Sequence, residues 1–267
     1  MLRNVEQAMW YINMAAAAVL FGRLYVQGLV RAYPFLFAYL AVDTLEQIIA
    51  SAFAQNLRFY TEIYFVGQTV KVGLAIFVIL ELYELALAQQ PALARFGRRM
   101  LGYLFLIAIA FGFVNLLLEF DAADPNRGTL LVSFLRLERS MDLVTFVVLI
   151  LIAVFLLWFP VRARRNVAVW LGGFLLYSFS RWTGLLLMNR FHQLTHDVNR
   201  FQQLTHELNV AMLGASLACL IGWCLMLKPA GEQEMVVTGH AWDPAEMERL
   251  TVQLDAINSR LVRMARY

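Results

Sequence analysis

Asp43 and Glu46 stand three residues apart within a long apolar run, and Gln68 and Lys71 do the same within the next one. Residues i and i+3 share a helix face, so one helix presents two carboxylates and its neighbour an amide beside an ammonium. A later run opens with Arg136, Glu138, Arg139 and Asp142. There Arg136 and Arg139 share a face, and Glu138 faces Asp142 at i,i+4. In another run Ser178, Ser180 and Thr183 surround Arg181. An ionisable residue in a spanning helix costs about 2.5–3.5 kcal/mol on insertion. These groups are therefore expected either to pair across helices or to line an outward-facing polar pocket for a small ligand or ion. At 1.5 Å per residue, Asp43 lies ~15 Å from Tyr33 and Lys71 ~18–20 Å from Arg58, both near mid-depth. The same counting puts Arg181 and the Arg136–Asp142 stretch in the outer half. Glu81 and Glu84, near the other end of the third run, are expected to snorkel toward the interface.

A second candidate chemistry is metal binding. His192 and His196 are i,i+4 and project from one helix face, which is metal-ligand spacing, with His206 as a third candidate. The segment His192-Gln193-Leu194-Thr195-His196 is similar to the zinc-protease pattern, but Gln193 stands where the general-base glutamate belongs. Hydrolysis is not expected from it. The stretch belongs to a tandem repeat in which 191–200 and 201–210 match at six of ten positions. Apolar residues at 191, 194, 198, 201, 204 and 208 recur at helical spacing, so the flanking helices are expected to run on past the membrane.

The elements that position these groups follow from composition. Of 267 residues, 61% are hydrophobic and 15% charged, against roughly 45–50% and about 25% in soluble domains. The excess lies in runs of about 20 residues, the length that crosses a ~30 Å hydrocarbon core as a helix. No stretch shows the period-2 alternation of a barrel strand. The expected fold is all-α and polytopic, with seven transmembrane helices over 7–29, 34–54, 61–88, 99–118, 130–159, 167–189 and 208–228. Tyr33-Pro34, Asp124-Pro125-Asn126-Arg127-Gly128 and Phe159-Pro160 punctuate the runs. Residues 1–228 form the membrane domain, 229–242 a polar linker, and 243–267 a cytoplasmic amphipathic helix. The N-terminal run is expected to be an uncleaved first span. Cys219 and Cys224, about 140° apart on one helix, cannot bridge each other.

Orientation follows from the basic residues. One set of loops holds Arg23, Arg31, Arg95, Arg98, Arg99, Arg162, Arg164 and Arg165, with Lys228 opening the tail. The other set holds Arg3, Arg58, Arg127, Arg190 and Arg200, accompanied by Glu119, Asp121 and Asp124. The bias puts the N-terminus outside and the C-terminus in the cytoplasm of a multi-pass protein in a bacterial-like inner membrane.

In the tail, Asp243 is the expected N-cap, Pro244 suits the first helical position, and Glu246 completes a capping-box-like start. Met247, Leu250, Leu254, Ile257, Leu261 and Met264 follow at alternating spacings of three and four, a strict a/d seam. So short a helix is marginal alone in water. The seam is expected to bind a second copy or a cytoplasmic protein; docking on lipid through Arg249, Arg260, Arg263 and Arg266, or on the protein's own loops, are the alternatives.

In topology the chain is similar to seven-helix receptors, rhodopsins and the input modules of sensor kinases. A retinal protein would need a lysine in the middle of the last span, and Lys228 sits at its end. The tail is too short for a kinase, cyclase or phosphatase domain. The PQ dipeptide of small sugar transporters is missing from the expected helix, and no protease or acyltransferase signature is present. An enzyme, a cofactor and a nucleic-acid partner are not expected. The leading expectation is a membrane sensor or signalling-type subunit, with an outer polar pocket and a cytoplasmic partner-binding helix. A small-molecule or ion transporter using Asp43, Glu46 and Lys71, and a structural subunit of a larger membrane complex, are the alternatives.

Overall fold

The computed structural model describes residues 2–53, 57–120, 129–159, 161–194, 198–238 and 243–264. Among them the chain is almost entirely helical: α1 (Leu2–Val26), α2 (Pro34–Ala52), α3 (Leu57–Ala86), α4 (Pro91–Phe120), α5 (Thr129–Trp158), α6 (Arg165–Leu194), α7 (Val198–Met226) and α8 (Pro244–Met264). Sequential helices pack on one another from α1 to α7, and α7 closes the ring on α1. Helix α3 also touches α5 and α6, which makes it the centre of the bundle. Among the described residues four helices are long and apolar enough to cross a membrane by length and composition: α1, α3, α5 and α7. That character is compatible with a multi-pass membrane protein. Many of their large apolar side chains face outward, among them Val66, Leu151, Val154 and Leu157. A monomer in water rarely tolerates such an extended apolar surface.

The helices exceed the apolar runs that nucleate them. Helix α6 continues to Leu194 and α7 begins at Val198, as the apolar spacing across the histidine repeat predicts. Helix α4 starts eight residues before its apolar run, because 91–98 interleaves Leu93, Ala94 and Phe96 with Arg95 and Arg98 in an amphipathic turn. The described core lies toward the end of the bundle where the basic loops gather. Trp170, Phe174 and Trp223 stack there, with ring centroids 4.7 Å apart for the two tryptophans, and Tyr33 closes over Trp170 at 6.1 Å.

Two short strands interrupt the helical plan. Val161–Arg164 (β1) pairs antiparallel with Met235–Thr238 (β2), with Val161 opposite Thr238 and Arg164 opposite Met235. Val161 and Ala163 are buried, and Arg162 points out to solvent. Four residues are too few for alternation to register in sequence. The ribbon, with a 3-10 turn at Pro229–Glu232, gives defined structure to much of the stretch that reads as a polar linker.

Two helices that begin with proline at this end borrow their caps from elsewhere. Tyr33 provides no side-chain cap for α2; instead Glu81 of α3 accepts the Phe35 and Leu36 amides at 3.5 and 3.3 Å. For α4, Asn258 of α8 accepts the amides of Ala92 and Leu93 at 3.0 and 3.2 Å, and Gln90 donates to Asp255 at 2.9 Å. Both arrangements satisfy N–H groups that a helix start leaves open. Helix α8 therefore packs on its own α4, with Leu254 buried, Met247, Leu250 and Leu261 half-buried, and Ile257 and Met264 exposed. Asn258→Ala is expected to cost about 1 kcal/mol through the lost cap. It should raise amide exchange in both α8 and the first turn of α4; unchanged exchange in α4 would show that the cap is not made in solution.

Candidate functional site

The charge-bearing helices meet in the middle of the bundle. Lys71 lies near the midpoint of α3, Asp43 of α2, Asp142 of α5 and Arg181 of α6. Lys71 Nζ contacts Asp43 Oδ1 at 3.1 Å and Glu46 Oε2 at 3.0 Å, so one ammonium bridges both carboxylates of the i,i+3 pair. The lysine is 6% exposed. Gln47 donates to the other oxygen of Asp43 at 2.8 Å. Helices α2 and α3 can approach this closely because of Gly67: a Cβ there would sit 2.3 Å from Glu46 Oε2. Gly67→Ala is therefore expected to push the Glu46 carboxylate off Lys71 and lower the unfolding temperature in detergent by several degrees. A thermal melt unchanged from wild type would mean that Glu46 has room to move.

The second ion pair spans α5 and α6. Arg181 Nε donates to Asp142 Oδ2 at 3.2 Å, and Nη1 donates to the Tyr177 hydroxyl at 3.4 Å. The guanidinium carbon also lies 5.9 Å from the Tyr177 ring centre, within cation–π range. Tyr39 of α2, buried beside Phe174, is within electrostatic reach of Tyr177, Asp43 and Arg181. Arg181 in turn acts on Lys71 and Glu46. The two ion pairs thus form one electrostatic unit across α2, α3, α5 and α6. Gln68, Thr44, Thr145 and Ser178 are buried polar residues on the same four helices. Thr44 satisfies itself on the Leu40 carbonyl at 2.7 Å.

Of the residues singled out in the sequence, Asp43, Glu46, Lys71, Asp142 and Arg181 are brought into this unit. Arg136, Glu138 and Arg139 fall on α5, but their side chains lie outside the described residues. The His192 side chain and the whole of His196 also lie outside them. His206 pairs through Nδ1 with Glu6 of α1, whose other oxygen accepts from Asn209 at 2.9 Å. It serves the α1–α7 contact there, and no group of three metal-ligating side chains gathers among the described residues. Sequence reasoning missed Tyr39 and Tyr177, which read as ordinary apolar positions. It also missed the roles of Glu81 and Glu84: the first caps α2, and the second pairs with Arg98 of α4.

A further polar centre lies at the end of the bundle. Glu232 accepts from the Tyr33 hydroxyl at 2.6 Å, from Asn166 Nδ2 at 2.6 Å and from Arg164 Nη1 at 3.1 Å. Asn166 also donates to the Lys228 carbonyl at 2.9 Å, and Arg165 pairs with Glu234 at 3.0 Å. Burial, then the Glu232 carboxylate, holds the Tyr33 phenol well above its ordinary pKa, so it remains a donor. Residues 229–238 are thereby fastened to α2, β1 and α6. The chain matches no protein-family model, no curated protein and no solved structure. Function must therefore be argued from this geometry.

Proposed function

We propose that the chain is a seven-span protein of the cell membrane, N-terminus outside and C-terminus cytoplasmic, that works as a sensor or signalling-type subunit. In this reading a ligand or ion perturbs the mid-bundle charge unit, and α8 reports the change to a cytoplasmic protein or a second copy of the chain. One observation carries it. Helix α3 bears Lys71 at its middle, while its far end caps α2 through Glu81 and pairs with α4 through Glu84, and α4 is capped in turn by α8. A shift of α3 that follows loss of the Lys71 contacts has a direct mechanical route to α8. The grouping of Arg31, Arg95, Arg98, Arg164, Arg165 and Lys228 at the end where α8 docks supports the orientation.

The test compares the full-length protein with a chain truncated after Thr238, which keeps the β1–β2 ribbon and removes 239–267, α8 included. Both are purified in native nanodiscs and their companions identified by mass spectrometry. A protein lost only on truncation supports the reading. A membrane protein retained by both forms would favour a structural subunit instead. One feature favours a transporter as the second reading: a buried ammonium shared by two carboxylates is an arrangement that a proton or cation can rewire. Substrate-driven flux in proteoliposomes, abolished in Asp43→Asn, would move transport to the front.

A further inference from the structure

A groove of about 580 Å³ lies at the basic end of the bundle, between the start of α2, the end of α3 and the start of α4. Its polar lining has both signs. Arg31 and Arg95 stand on the flanking segments, and Glu81 and Glu84 on α3 between them. Its apolar wall is the stacked pair Phe35 and Phe77, with ring centroids 5.1 Å apart and both rings exposed. Arg98 is occupied by Glu84. Arg95 donates Nε to the Pro91 carbonyl at 3.2 Å, which fixes its stem at the groove.

We propose that this groove binds a zwitterionic aminophospholipid of the cytoplasmic leaflet, its phosphate on Arg31 and Arg95, its primary ammonium against Glu81 rather than the Arg98-paired Glu84, and an acyl chain along Phe35 and Phe77. The assignment rests on the membrane orientation proposed above and adds to it a defined lipid. Complementarity selects the occupant. A purely anionic headgroup would satisfy the arginines but set negative charge against the Glu81 carboxylate. A choline headgroup has a cation that cannot donate hydrogen bonds to it. Only a headgroup with both a phosphate and a primary amine meets both signs. The volume lies in the range of small-molecule sites, roughly 300–1,000 Å³, which leaves space for the first part of a chain beside the headgroup.

Native mass spectrometry of the detergent-purified protein, titrated with phosphatidylethanolamine, phosphatidylcholine and phosphatidylglycerol, tests the proposal. Phosphatidylethanolamine is expected to bind about ten-fold more tightly than either of the others, the worth of one charge-assisted hydrogen bond. The Arg31→Gln/Arg95→Gln variant changes two surface side chains, should keep its melting temperature, and should lose that binding by a similar factor. Glu81→Gln retains a carbonyl to cap α2 and should erase the preference over phosphatidylcholine. Equal binding of the three lipids, a first preference for phosphatidylglycerol, or a double arginine variant that binds normally would overturn the site. Displacement of the lipid by equimolar glycerophosphoethanolamine would overturn the role of the acyl chain. Release of the chain from membranes by alkaline wash without detergent would instead remove the membrane reading itself.

Discussion

Lys71→Met is expected to destabilise the bundle by about 3–5 kcal/mol, the usual result of stripping one partner from a buried ion pair. The side chain is 8% exposed and meets Asp43 and Glu46 at 3.1 and 3.0 Å. Once it is gone, two carboxylates share a site near the middle of α2 with no ammonium between them. Both must protonate, draw in water or separate. The pair itself need not add net stability, because desolvating three charges offsets most of their attraction. The triple variant Asp43→Asn/Glu46→Gln/Lys71→Met should therefore recover most of the loss. Unfolding in mixed micelles, followed by circular dichroism, measures both. A Lys71→Met protein as stable as wild type would mean that the charges are hydrated rather than buried. The triple variant also separates the functional readings. If it is stable but no longer binds its cytoplasmic companion, or no longer transports, the charges are working groups. If it is stable and unaltered in both respects, they serve the fold alone.

Much of the helix plan was legible because long apolar runs follow one dominant rule. Runs of apolar residues become helices, and all seven runs do so here. Their ends were less legible. The start of α4 is an amphipathic extension, and hydropathy marks the apolar stretch rather than the hydrogen-bonded one. The face shared by Asp43 and Glu46 follows from i,i+3 spacing alone. Their partner does not, since Lys71 comes from another helix 28 residues from Asp43 and helix packing decides which lysine arrives. Arg181 lies near the midpoint of α6, which continues to Leu194. The largest gap concerns 229–238. A short polar, glycine-containing stretch reads as a linker because its order comes from Tyr33, Arg164 and Asn166, up to 199 residues away. No local pattern contains that information. The same holds for α8, whose seam announces that it needs a partner and not that α4 supplies part of one.

Glu232→Ala is the second large effect expected, and it tests whether that stretch is a structural joint. Tyr33 and Asn166 are 2% and 0% exposed, and both donate to this carboxylate. Without it two buried donors are stranded, at about 1–3 kcal/mol each, while Arg164 can turn to water at little cost. The tail should then detach from Pro229 onward, which opens β2 and loosens α8. Hydrogen exchange across 229–264 is the direct measurement, with a thermal melt beside it. Glu232→Gln keeps one accepting oxygen and should lose less. Gly231→Ala offers an independent route to the same state: its Cβ would lie 2.2 Å from Oδ1 of Asn166, so that side chain must leave its bonds to Glu232 and Lys228 to make room. Exchange should rise over the same residues in both variants. Alkaline pH gives the sign of the Tyr33 contribution. A phenol whose pKa is raised in the fold stabilises fully below its unfolded value of about 10, and that contribution is lost as pH climbs above it. Stability from this centre should thus be flat between neutral pH and about 9, and a Tyr33→Phe protein should lack the decline above 10. If Glu232→Ala leaves exchange in 229–264 unchanged, the joint is held by the ribbon alone, and the coupling between the bundle and α8 runs only through α4.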